Sequence, residues 1–134
     1  MKILLDTNVI IDTLSIRKPF NGHSDKIFEL IAKDIIEGYM ITSSVTDVYY
    51  LLRKSFSDAE CRNKIQTLLN LLKIIEVTRS DCLVAIKSSM QDFEDALIFV
   101  CVDREGMDFI VTRDVEFLRI PKAISPSKFL EKFK

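Results

Sequence analysis

The chain predicts an α/β fold, a single-domain α/β/α sandwich around a mainly parallel central sheet. Short apolar runs of strand length, KILL at 2–5, YMIT at 39–42, KIIEV at 73–77 and DFIVT at 108–112, recur along it, and stretches with helical apolar spacing separate them. Such alternation makes each helix a crossover between parallel strands and covers both faces of the sheet. Composition agrees: 48% of the 134 residues are hydrophobic and 29% charged, with three Gly and three Pro, enough for a core and unlike a disordered chain. No repeat or linker divides the sequence, so residues 1–134 are expected to form one domain.

Lys2–Leu5 reads as a buried strand because its apolar run stops at Asp6, where a turn and then a helix should begin. In 21–38, Ser24 or Asp25 caps a helix carrying Ile27, Phe28, Leu30, Ile31, Ile35 and Ile36 at helical spacing, and Gly38 closes it. A second strand follows at 39–42. The stretch 43–54 opens with hydroxyl caps and continues as a helix, and 58–72 is another helix with Asp58 at its start. Strand three is 73–77. Residues 80–90 and 93–105 form two helical patterns, the second ended by Gly106, before strand four at 108–112. The tail supplies a short strand and a last helix capped near Ser125 or Ser127.

Charge and cysteines exclude several classes. A formal net charge of -1 gives no basic field, so a nucleic-acid partner has to be argued from a site. Cys61, Cys82 and Cys101 are an odd set without CxxC spacing, as expected of reduced core thiols in a cytosolic protein. The N-terminal apolar run is shorter than a signal sequence needs, and no segment approaches the roughly 18 apolar residues of a membrane span. A cytoplasmic location is therefore expected.

Ligands of such sheets bind beyond the carboxyl ends of the strands, which directs attention to the acids there. Asp6 follows strand one and Asp114 follows strand four, on one sheet edge if those strands are neighbours. Asp47 lies early in the helix after strand two, on the face of Tyr50 and Leu51, which is expected to point inward. Asp95 precedes Ile98, Phe99 and Val102 at offsets three, four and seven, which puts it on a core-facing stripe, and Asp92 projects along the same side one turn earlier. Each acid alone also reads as a turn former or an N-cap. Five converging on one cleft call for a cation to hold them ionised. Oxygen donors without His or Cys favour Mg²⁺ or Mn²⁺, and an acidic cup of this kind suits hydrolysis of a phosphodiester.

LLDTNVIID, TDVYYLLRK and DFEDALIFVCVDREGMDFIVTRD, in this order and spacing, resemble the PIN-domain nucleases, particularly the small VapC-like proteins, over nearly the whole chain. The resemblance implies a metal-dependent ribonuclease, with residues 1–134 as a PIN-like nuclease domain. It assigns Asp6, Asp95 and Asp114 as catalytic metal ligands. Asp47 stands where the family usually has Glu; one methylene shorter, it is expected to bind through water or to leave the site weakened. Asp92 is an accessory, and Asn8 and Thr112 orient Asp6 and Asp114 as hydrogen-bonding neighbours. A VapC-like toxin further implies an RNA substrate, single-stranded or looped, a small antitoxin protein whose tail occupies the groove, and a homodimer.

Among the other polar residues, Arg17, Lys18, Arg53, Lys54 and Arg113 form a candidate phosphate-binding rim, Tyr49 and Tyr50 are groove-wall residues of which one ring is a candidate base platform, and Asp12 is an Asn8 partner or a solvated charge. A phosphoacceptor receiver is disfavoured because KIIEVTRS has no Asp at the end of strand three, and a haloacid-type phosphatase because DTN has Asn8 where a second Asp is required. The remaining alternative is an inactive PIN-like scaffold that binds RNA or protein.

Overall fold

The computed structural model describes every residue from Met1 to Lys134. In chain order its elements are β1 (Lys2–Leu5), α1 (Thr7–Leu14), α2 (Asn21–Ala32), β2 (Glu37–Ile41), α3 (Thr42–Leu52), α4 (Asp58–Leu71), β3 (Lys73–Ile75), α5 (Arg79–Ile86), α6 (Phe93–Arg104), β4 (Phe109–Val111), β5 (Ala123–Ile124) and α7 (Pro126–Leu130), with 3-10 turns at Phe117–Arg119 and Glu131–Phe133. The strand order is β3-β2-β1-β4-β5 and every pairing is parallel. The chain winds outward from β1 in one direction, then returns to lay β4 on its other side. That reversal makes the β1/β4 boundary the switch point, where a crevice opens beyond the strand ends.

Strand alternation divides the core into two halves. Ile3, Leu5, Met40 and Val111 point to one face, where they meet Ile10 of α1, Ile27 of α2, Val48 and Leu52 of α3, Leu68 of α4 and Phe129 of α7. Leu4, Ile41, Ile75 and Ile110 point to the other, against Cys101 and Val102 of α6. Helix α5 packs on α6 in that layer. The result is the expected α/β/α sandwich.

Local expectations were revised at three points. Helix α2 begins after Phe20 without a side-chain cap and ends at Ala32; Ser24 is buried within it, accepting a hydrogen bond from Thr13 Oγ1 at 2.6 Å. Asp34 then takes a positive φ of 58°, and the chain turns into β2, so Ile35 and Ile36 lie outside the helix and Gly38 is a strand residue instead of a cap. A Cβ on Gly38 would sit 2.5 Å from Ile31 Cδ1 and 2.7 Å from Leu72 Cδ2, so glycine is there for close packing of α2 and Leu72 against the strand. Third, α4 is capped by Ser57, which forms a capping box with Glu60, and Asp58 is the first helical residue; α3 starts after Ile41 with no hydroxyl cap. Gly106, at φ 63°, does end α6, and Ser125 does cap α7. Cys61 and Cys101 are buried thiols, Cys82 is half-buried, and all three are free.

Candidate active site

Strand β1 delivers Asp6 and strand β4 delivers Thr112 and Asp114 to the same edge, because the two strands pair side by side and the Asp6 amide donates to the Val111 carbonyl at 3.0 Å. Helix α6 starts at the same edge. Its N-cap is Asp92, which accepts from the Asp95 amide at 2.9 Å, so Glu94 and Asp95 lie in the first turn. Asp6, Asp92, Glu94, Asp95 and Asp114 line one open cleft of about 660 Å³, with Met90, Ile98 and Phe117 among its apolar walls.

A polar lattice fixes Asp6. Its Oδ2 accepts from Thr112 Oγ1 at 2.7 Å and from Asn8 Nδ2 at 3.2 Å, while Oδ1 accepts from the Thr7 amide at 2.9 Å. Thr112 is buried, and its Oγ1 also accepts from the Asp114 amide at 3.0 Å, so one hydroxyl ties the Asp6 carboxylate to the backbone that carries Asp114. Asn8 Oδ1 accepts from the Arg113 amide at 3.2 Å. The next residue of the strand end is anchored differently from the sequence expectation. Arg113 donates to Asp12 from Nε at 2.5 Å and from Nη2 at 2.9 Å, and its guanidinium lies 3.8 Å from the centre of the Phe20 ring. The Asp12 side chain is 1% exposed, so it is neither a solvated charge nor an Asn8 partner. Arg113 is committed to holding the loop and leaves the candidate phosphate rim.

The carboxylates sense one another. Burial, then the charges of Asp92, Asp114, Glu94 and Asp6, push the Asp95 carboxyl up to about 6. Burial also raises Asp6, against hydrogen bonds from Thr112, Thr7 and Asn8 that favour its ionised form; the Asp114 charge raises it further. All donors are oxygens, which suits a hard divalent cation. No three Asp, Glu, His or Cys side chains are gathered tightly enough to cage an ion by themselves. A partial set of carboxylates with water completing the shell is how Mg²⁺ is commonly held, since it gives up its waters reluctantly.

Asp47 is placed apart. Exposed on α3, it shares with Asp6 a neighbouring groove of about 480 Å³, lined also by Thr7, Tyr50, Leu51, Lys54 and Glu94, and it does not line the main cleft. The face it occupies does not point inward: Tyr50 is 68% exposed, and the buried stripe of α3 is Ser44, Val48 and Leu52. Sequence reasoning passed over Glu94, which borders both cavities, and Arg119, which lines the main cleft and lies 3.6 Å from Glu116. With Asp92 as the cap, Glu94 and Asp95 both fall in the first turn of α6, a signal readable from the sequence; Arg119 carried none. His23, in the first turn of α2, lies outside the cleft and lines a groove between α2 and the C-terminal residues.

A family model described as PIN domain matches residues 2–116. Among solved structures, the chain resembles VapBC2 from Rickettsia felis bound to a DNA fragment from its promoter (22% identity, 93% of this chain and 97% of that one, TM-score 0.68). It also resembles DNA-bound VapBC from Salmonella typhimurium (19%, 94% and 98%, TM-score 0.70). A third is VapC20 from Mycobacterium tuberculosis, a toxin that cleaves the sarcin-ricin loop (14%, 87% and 93%, TM-score 0.68). At these identities the likeness is one of fold. No curated protein matches the sequence.

Proposed function

The chain belongs to the PIN domain family, and from that membership we propose that residues 1–134 form a Mg²⁺- or Mn²⁺-dependent endoribonuclease, the toxin of a toxin–antitoxin pair acting in the cytoplasm. The observation that carries this reading is the cleft at the switch point of the sheet, where Asp6, Asp92, Glu94, Asp95 and Asp114 meet from three separate chain segments. Asp6, Asp95 and Asp114 hold the cation, with Asp92 as an accessory and Asp47 at the edge of the site. When bound, the divalent cation supplies charge neutralisation at the scissile phosphate and activation of a water nucleophile at neutral pH. Thr112 and Asn8 aim Asp6 and favour its ionised form against burial, because each donates to its Oδ2. The cleft is open, which suits an extended or looped RNA backbone better than a small molecule.

The antitoxin proposal is supported by the similarity to VapBC complexes from Rickettsia felis and Salmonella typhimurium. A homodimer is supported by the apolar side chains Leu83, Val84 and Ile86, which α5 leaves exposed. No helix is long and apolar enough to cross a membrane.

A second reading, a PIN scaffold that binds RNA or protein without turnover, draws on two observations: no three ligating side chains are closely gathered, and Asp47 stands apart from the main cleft. The two readings separate on cleavage of a mixed panel of labelled RNAs with Mg²⁺, with Mn²⁺ and with EDTA, by the native protein and by Asp95→Asn. The nuclease reading expects metal-dependent cleavage that falls at least roughly a hundredfold in Asp95→Asn, in keeping with the loss of a metal ligand or its partners. Equal inactivity with every metal, in protein shown to be folded by circular dichroism, supports the scaffold.

A further inference from the structure

We propose that the groove beside the acidic cleft is a subsite for one unpaired nucleotide, with Tyr50 as the platform for its base and Lys54 as the contact for its phosphate. The proposal rests on the ribonuclease reading and specifies which form of RNA that site accepts. Asp47, Tyr50 and Lys54 follow one another at offsets of three and four, so they form a single stripe along and just past α3, about one helical turn apart. All three line the groove together with Asp6, the acid the two cavities share with Glu94. A chain lying across Asp6 therefore runs directly onto this stripe.

The tyrosine is both exposed and braced. The residue is 68% exposed, on a helix whose opposite face is packed by Ser44, Val48 and Leu52. Tyr49 meets it edge to face, with centroids 5.2 Å apart and planes at 86°, and the Tyr49 hydroxyl is bonded to Asp58, which in turn pairs with Arg62 at 2.9 Å. A ring held in place loses little freedom when a base stacks on it, and stacking is open to any base but closed to one already paired in a duplex. Lys54 forms no ion pair within the chain. It is the one cation lining a groove that also holds Asp6, Asp47 and Glu94, so in this subsite it is the side chain that can contact the nucleotide's phosphate.

The test uses a fluorescein-labelled mixed-sequence RNA 12-mer, free or annealed to its complement, titrated by fluorescence anisotropy in Mg²⁺ against full-length Asp95→Asn protein and the same protein carrying Tyr50→Leu, Tyr50→Phe or Lys54→Gln. Cleavage of the free strand by otherwise native protein with the same three substitutions is measured in parallel. We expect Tyr50→Leu to weaken single-strand binding about tenfold, Tyr50→Phe to stay within about twofold, and duplex binding to be unchanged. Lys54→Gln should lower affinity and flatten the salt dependence by about 0.7 of a log unit per log unit of salt. Native protein that cleaves the strand while Tyr50→Leu binds and cleaves it equally well overturns the subsite and leaves the nuclease reading standing. Asp95→Asn protein that does not bind the free strand, together with native protein that does not cleave it, overturns both. A Tyr50→Leu protein that loses free-strand and duplex binding alike, or that changes only its mass in light scattering, also overturns the subsite, the latter result assigning the ring to a protein contact.

Discussion

At the scale of single residues, the site is a set of carboxylates held against their own repulsion. Arg113 and Asp12 supply much of the rigidity, since the bidentate pair lies under the loop that carries Asp114. Removing the guanidinium strands a buried carboxylate, so Arg113→Met should cost about 3 kcal/mol of unfolding free energy by urea titration. Asp12→Asn should recover part of that loss in the double variant, a coupling that an exposed pair would not show. Asp95 carries the pH dependence. Its carboxyl is held at about 6, above its unfolded value, so the fold binds that proton more tightly than the unfolded chain does. The stability this lends is complete below about pH 4 and is lost as pH rises through 6. In EDTA, Asp95→Asn should therefore be more stable than the native protein at pH 7.5, by about 1 kcal/mol after discounting for partial exposure, with the difference closing toward pH 4.5 in thermal melts. A constant difference across that range would show that repulsion at Asp95 is not its source. The meeting of Asp6, Asp95 and Asp114 at one sheet edge was legible in the sequence because acids at strand ends and helix starts stand out against apolar runs. Arg113 was misread because a cation beside an acidic motif looks the same whether it faces solvent or a buried Asp12 one hundred residues away in the chain.

At the scale of elements, strands were legible because they are short apolar runs, and all five expected ones form, the last being the short β5 ahead of α7. Helix ends were less so. The apolar period of α2 continues through Ile35 and Ile36, and nothing local announces that Asp34 adopts a left-handed conformation which turns the chain into β2. Gly38 was read as a stop signal because glycine commonly ends helices; here tertiary packing requires it, since Ile31 and Leu72 fill the space of its missing side chain. Both neighbours are buried and β2 is paired on both sides, so an added methyl has little room to be absorbed. Gly38→Ala should destabilise the protein by about 1 to 3 kcal/mol in spite of the better strand propensity of alanine, lowering the melting temperature by several degrees. Gly22→Ala, in open space on exposed α2, is the matched control and should stay within about 1 kcal/mol of native or be slightly stabilised.

At the scale of the molecule, the fold class followed from alternation, but the strand order did not, because periodicity carries no information on which strands become neighbours. That order decides the chemistry: only with β4 inserted beside β1 do Asp6 and Asp114 share Thr112 and face the start of α6. The same order leaves α5 as an outer helix packed on α6, with Leu83, Val84 and Ile86 turned to solvent. Three neighbouring exposed aliphatics on one short helix are costly unless another chain covers them. The homodimer proposal places a second copy there, buried by hydrophobic area, since net charge of -1 provides little attraction or repulsion between copies. Light scattering at tens of micromolar should give twice the 15.4 kDa chain mass. Val84→Glu with Ile86→Glu should return the mass to a single chain with the circular dichroism spectrum unchanged, because both side chains already face water within one copy. A native protein that is monomeric at that concentration removes the homodimer, and the α5 face then passes to a different partner chain, for which the antitoxin is the first to titrate.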